Sequence, residues 1–237
     1  SYNTAMGRLA LGYNTTGAHN TASGYRALWS NTTASYNTAV GSCTLYANTT
    51  GAKNTGIGYL AAGGNICGDY NVAMGYEAFR CNTSGGSNTA IGTSSLYNNT
   101  TASYNTAVGR NALCSNTTGQ YNAAVGFAAL ANNTTSYNTA VGYKAACLTT
   151  SGGIQTAIGY HALVSNTTGT LNTAVGGQSM QQNTTGSHNT ASGYLAMYMN
   201  TTGSYNTIVG KHAARCNATS SYNTAVGTFA LCMATAG

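Results

Sequence analysis

Ser35-Tyr36-Asn37-Thr38-Ala39-Val40-Gly41 is spelled again, letter for letter, from Ser103, Ser136 and Ser221. Near-copies fill the intervals: Ser1 begins SYNTAMG, Ser204 begins SYNTIVG, HNTASG begins at His19 and His188, and LNTAVG begins at Leu171. A short string that returns at a fixed interval marks a repeat architecture, and the period decides the fold before any single residue does. Counted from the Asn, repeats begin at Asn3, Asn20, Asn37, Asn54, Asn71, Asn88, Asn105, Asn122, Asn138, Gln155, Asn172, Asn189, Asn206 and Asn223. The spacing is 17 residues, and 16 between Asn122 and Asn138. The consensus is N-T-A-V-G-Y-x-A-L-x-x-N-T-T-G-x-Y, here numbered 1 to 17. It leaves no part of residues 1–237 outside the repeat, so the expectation is one repeat domain, a segment of a longer fibrous chain.

A period of 17 is too short for a helical hairpin, and Asn, Thr and Gly are poor helix formers. The pattern predicts an all-β parallel solenoid, or β-roll, of about fourteen coils. Two strands are expected per coil, one at T-A-V and one around Y-x-A-L. Turns are expected at position 5, which is Gly in all fourteen repeats (Gly7, Gly24, Gly41, Gly58, Gly75, Gly92, Gly109, Gly126, Gly142, Gly159, Gly176, Gly193, Gly210 and Gly227), and at N-T-T-G. The shortened repeat loses its residue in that second turn. Proline is absent, as suits strands whose N–H groups bond on both sides. In-register stacking predicts ladders of Asn at positions 1 and 12. At about 4.8 Å per coil, the whole would make a rod on the order of 65–70 Å long.

The apolar positions come as adjacent pairs, 3 with 4 and 8 with 9. Successive strand residues face opposite ways, so one member of each pair is expected inside and the other outside, giving an apolar stripe that a second copy would cover. T-A-V-G-Y-x-A-L, as in Thr139-Ala140-Val141-Gly142-Tyr143-Lys144-Ala145-Ala146, resembles the head repeats of trimeric autotransporter adhesins of the YadA-like type, built around S-V-A-I-G and x-x-A-x-A. It is similar, too, to repeats of phage-type tail fibre proteins. The resemblance implies a left-handed β-roll with three chains side by side. The family's unit is shorter, so the N-T-T turn would form an added ledge, and its Val stands as Thr here.

Only ten of 237 residues are charged, eight Lys or Arg against Asp69 and Glu77, for a net +6. The bases are scattered rather than clustered as nucleic-acid binders cluster them, and no apolar run approaches membrane-spanning length. Neither nucleic-acid binding nor membrane insertion is expected. With two carboxylates out of register and His19, His161, His188 and His212 far apart, no convergent acid–base pair is expected and the chain reads as no enzyme. No cofactor is implied and no metal-ligand spacing is present. Among seven cysteines, Cys216 and Cys232 fall on successive coils and are candidates for a coil-to-coil disulfide. Asn14, Asn31, Asn48, Asn82, Asn99, Asn116, Asn133, Asn166, Asn183, Asn200 and Asn217 begin N-x-T or N-x-S and are candidate glycan acceptors, although Asn and Thr are also what a stacked turn requires. Tyr at position 6 suits packing between chains; Tyr at position 17 suits contact with sugars or a partner.

The expectation is a structural fibre or adhesin segment, extracellular or on a virion surface: a stiff trimeric shaft, with a cell-surface glycan or protein receptor as its outside partner. The alternatives are an ice-binding solenoid with Thr rows at positions 2, 13 and 14, and a subunit of a self-assembling end-to-end filament.

Overall fold

The computed structural model describes residues 2–232 and falls into two compact units, Ser1–Tyr121 and Asn122–Gly237. The first unit holds strands β1 (Thr4–Met6), β2 (Thr21–Ser23), β3 (Thr38–Val40), β4 (Thr55–Ile57), β5 (Val72–Met74), β6 (Thr89–Ile91) and β7 (Thr106–Val108). The second holds β8 (Ala123–Val125), β9 (Thr139–Val141), β10 (Thr156–Ile158), β11 (Thr173–Val175), β12 (Thr190–Ser192), β13 (Thr207–Val209) and β14 (Thr224–Val226). In each unit successive strands pair in parallel and in register, as Thr38↔Thr55, Ala39↔Gly56, Val40↔Ile57 in one and Thr156↔Thr173, Ala157↔Ala174, Ile158↔Val175 in the other. Each unit is therefore a parallel β-solenoid with one coil per repeat.

Each coil has one strand, not two. The segment expected as a second strand, Y-x-A-L, runs as turn because positions 7 and 9 adopt left-handed backbone in coil after coil: His161 at φ 54° and Leu163 at φ 51°, for example. That backbone turns positions 8 and 9 inward together. Ala162 and Leu163 are both fully buried, as are Ala27 with Leu28 and Ala112 with Leu113. The expectation that one of every pair faces outward holds only at positions 3 and 4, and the outward apolar column carries Val, Ile and Met but no Leu from position 9. A left-handed Leu costs about 1–2 kcal/mol. The bonds it makes offset this: Leu163 N–H donates to Ser179 O of the next coil, and its carbonyl accepts from Asn166 N–H, closing a tight turn.

The glycines at position 5 have φ from +121° to +140°, a region open to Gly but strained for any side chain. Space excludes a side chain as well: a Cβ on Gly58 would lie 2.5 Å from the Gly75 carbonyl oxygen.

Each letter of S-Y-N-T-A-V-G now has a physical reason. Ser at position 16 accepts a hydrogen bond from the backbone one coil earlier, as Ser35 Oγ does from Ala18 N–H at 3.0 Å. Tyr joins a column of rings. Asn at position 1 accepts, through Oδ1, the N–H of the Asn one coil later (Asn20 from Asn37, 2.9 Å) and donates, through Nδ2, to the carbonyl at position 15 of its own coil (Ala34, 2.8 Å). Asn at position 12 donates to that same carbonyl and to the Asn one coil earlier, as Asn31 does to Ala34 O and Asn14 Oδ1. Thr faces out, Ala is buried, Val faces out, and Gly turns. The two expected Asn ladders are formed, one between side chain and backbone and one between side chains.

Candidate functional site

The outward columns are what each unit offers to another molecule. Positions 2 and 4 flank the buried Ala of each strand and so share one face of the sheet. Neither position holds a charged residue in any repeat. Along position 4, Val40, Ile57, Ile91, Val125, Val141, Ile158, Val175 and Val209 are each 36 to 40% exposed. At position 2 the Thr side chains face solvent or are half-buried, and among the described residues their hydroxyls make no hydrogen bond within the chain. At position 13 the hydroxyls are used: Thr15, Thr49, Thr83, Thr134, Thr167 and Thr184 each donate to the carbonyl of the next coil.

Two aromatic columns run beside this face. At position 17, Tyr2, His19 and Tyr36 stack at 5.0 and 4.8 Å, Tyr104 lies parallel to Tyr121 at 5.1 Å, and His188, Tyr205 and Tyr222 stack at 4.7 and 5.1 Å. Where Lys53 interrupts the rings, its Nζ lies 4.6 Å from the Tyr70 ring centroid and donates to the Tyr70 hydroxyl, which raises the Lys53 pKa. At position 6 of the second unit Phe127, Tyr143 and Tyr160 stack at 5.2 and 5.6 Å, and His161 stacks on Tyr160 at 4.1 Å. Burial, and after it the Lys144 ammonium, hold the His161 pKa below its ordinary value. Rings stacked on one another present edges and hydroxyls rather than faces. Sugar stacking on a face, expected for position 17, is therefore open only at the column ends and interruptions.

The other sequence candidates fall as follows. Position-12 Asn residues Asn31, Asn48, Asn82, Asn99, Asn116, Asn133, Asn166, Asn183, Asn200 and Asn217 are buried, and Asn14, on the first coil, is half-buried. Most have Nδ2 committed to a carbonyl within the coil, as at Asn31, Asn48, Asn82, Asn99 and Asn166. In the folded coil these amides are therefore structural, and a glycan would have to be added before the coil closes over them. Cys216 and Cys232 are separate half-buried thiols, with no disulfide between them. They stand at positions 11 and 10, and the residue stacked in the Cys232 column is Arg215. Among the described residues no His, Cys, Asp and Glu side chains gather into a group that could hold a metal ion. The sequence reading missed the Lys53–Tyr70 and Tyr160–His161 contacts. The first was visible as a cation 17 residues from a ring; the second depends on the left-handed turn at position 7. Comparison with family models, with curated proteins and with solved structures gave no match.

Proposed function

We propose that this chain is a structural fibre segment, a stiff β-solenoid shaft of a tail fibre or surface adhesin that works as a side-by-side homotrimer. The observation that carries the reading is the uncharged column at position 4 of each unit, where Val40, Ile57 and Ile91 in the first and Val125, Val141, Ile158, Val175 and Val209 in the second stay more than a third exposed. Repeated apolar exposure of this kind favours association, and a second copy is the partner that shares its pitch. Mass by light scattering tests the reading. Three chains per particle are expected; a monomer at micromolar concentration, with Val141→Lys and Ile158→Lys leaving the mass unchanged, would overturn it. A receptor contact would be multivalent, with weak contacts multiplied along the shaft.

The unpartnered Thr hydroxyls at position 2 favour a second reading, an ice-binding face. It rests on that row together with the exposed position 14, because the hydroxyls at position 13 are held by the coil. Thermal hysteresis, absent for a shaft, separates the two.

A further inference from the structure

We propose that Tyr104–Tyr121 in the first unit and Tyr205–Tyr222 in the second are sites of oxidative cross-linking, each pair joined as dityrosine from one coil to the next within a single chain. Both pairs lie in the position-17 column with ring centroids 5.1 Å apart, and their interplanar angles of 1° and 2° are the smallest among the stacked rings. All four side chains are about half exposed or more, from 49% at Tyr121 to 79% at Tyr222, so an oxidant reaches them. The ladder beneath fixes the backbone: Tyr222 N–H donates to Ser204 O at 3.0 Å and Asn223 N–H to Asn206 Oδ1 at 3.0 Å. Two phenols are thus held one coil apart in parallel, with only side-chain torsions left to bring carbon to carbon.

The oxidant is hydrogen peroxide, used by a haem peroxidase. Each phenol gives up one electron and one proton to become a phenoxyl radical, whose unpaired spin resides partly on the ring carbons ortho to the oxygen. Those carbons, one from each ring, form the new C–C bond. Each then loses its hydrogen as a proton while the oxygen regains one, restoring both phenols. In sum, two tyrosines yield dityrosine, two protons and two electrons, and the peroxide takes up both to leave two waters. The bond would close a 17-residue loop, hardening by covalent chemistry a coil that has no disulfide between Cys216 and Cys232.

The same chain holds its own controls. Tyr36 stacks on His19, Tyr70 lies against Lys53, and Tyr25 and Tyr194 have no tyrosine beside them in their column. Tyr59–Tyr76 and Tyr143–Tyr160 are stacked less well, at 22° and 14° and at 5.4 and 5.6 Å, and should react after the aligned pairs.

The experiment mixes unlabelled chain with ¹⁵N-labelled chain at low concentration, adds a haem peroxidase with limiting peroxide, and maps linked peptides by mass spectrometry. Expected are Tyr104–Tyr121 and Tyr205–Tyr222 links, each short by two hydrogens and each with both halves carrying the same label. In Tyr222→Phe, which keeps the ring stack, the second link should vanish while the first persists. Links of mixed label, links concentrated at Tyr25, Tyr36, Tyr70 or Tyr194, or intact Tyr104 and Tyr205 after peroxide is consumed, would each overturn the proposal.

Discussion

The two units are built from the same repeat yet differ in their asparagine columns. In the first, Asn occupies every position 1 and every position 12, and each Asn N–H at position 1 from Asn20 to Asn105 donates to the Asn one coil earlier. In the second, Thr149 replaces one Asn and Gln155 another. Gln155 Nε2 still reaches the Gly169 carbonyl, but its Oε1 is buried without a partner. Asn166 meets Thr149 Oγ1 at 3.5 Å in place of an Asn Oδ1, whereas in the first unit every such bond has an Asn Oδ1 as acceptor, from 2.6 Å at Asn82 to 3.4 Å at Asn116. The missing residue adds to this: Asn138 Nδ2 turns to Asn133 Oδ1, and Thr135 stands in as the carbonyl that closes the coil. A ladder survives single substitutions because each coil also bonds through its backbone, and it weakens where defects fall side by side.

The comparison can be broken or sharpened by experiment. The largest effect is expected where the units are alike. Gly58→Ala in the first unit and Gly159→Ala in the second both place a Cβ 2.5 Å from a backbone oxygen at strongly positive φ. Each should lose more than about 3 kcal/mol in urea unfolding, and a loss under about 1 kcal/mol in either would show that the turn relaxes. Next comes Asn82→Ala, which strips a donor from Asn65 Oδ1 and from the Gly85 carbonyl and an acceptor from Asn99 Nδ2. Leaving such buried groups unsatisfied should cost about 2–4 kcal/mol. Asn166→Ala, beside an existing break, should cost less; equal losses would deny that the ladder is cooperative.

Repair is the third test. Gln155→Asn restores the acceptor for Asn172 N–H and should add about 1 kcal/mol, read as slower hydrogen exchange at Asn172, with the Asn71 amide as reference. The smallest effect is expected from pH. The His161 pKa is lowered in the fold, so the folded chain binds this proton less readily than the unfolded one. Stability is therefore full above the unfolded value of about 6.5 and falls as pH drops through it toward the folded value. His161→Gln, matching Gln178 one coil on, should lessen the acid sensitivity of the melting temperature. An unchanged pH profile would assign it to other groups, among them His212, shifted the same way by burial and by Arg215 and Lys211.

The period and the parallel stack were legible because a 17-residue interval leaves only one way to place like residues over like. Position 5 read correctly, since Gly alone at one place in every repeat implies a backbone other residues avoid. The second strand did not. Ala-Leu at positions 8 and 9 looks like part of a strand, and nothing in Arg26, His161 or Gln178 at position 7 announces left-handed backbone, which the stacked coils impose collectively. The N-x-T triplets carry two readings for a related reason: an enzyme that adds a glycan reads three residues, whereas the fold uses the same Asn and Thr to hold the next coil. The Ser at position 16 was an unread signal, although its recurrence before Tyr pointed to a hydroxyl with a task.

The asparagine columns also govern how such a chain ages. Asparagine deamidates when the nitrogen of the following residue attacks the side-chain carbonyl, a step that needs a loose backbone and a free amide. Here those nitrogens are occupied: after Asn20, Thr21 N–H donates to Asn37 O at 2.8 Å, and after Asn31, Thr32 N–H donates to Thr49 O at 3.1 Å. The bonds that hold the coils together thus act as a preservative for the residue most prone to spontaneous decay. The protection runs on through the coils around Thr149 and Gln155, where Thr167 N–H donates to Thr184 O at 2.9 Å and Thr173 N–H to Asn189 O at 2.8 Å, so even the fault line of the second unit should be slow to form succinimides in an old sample.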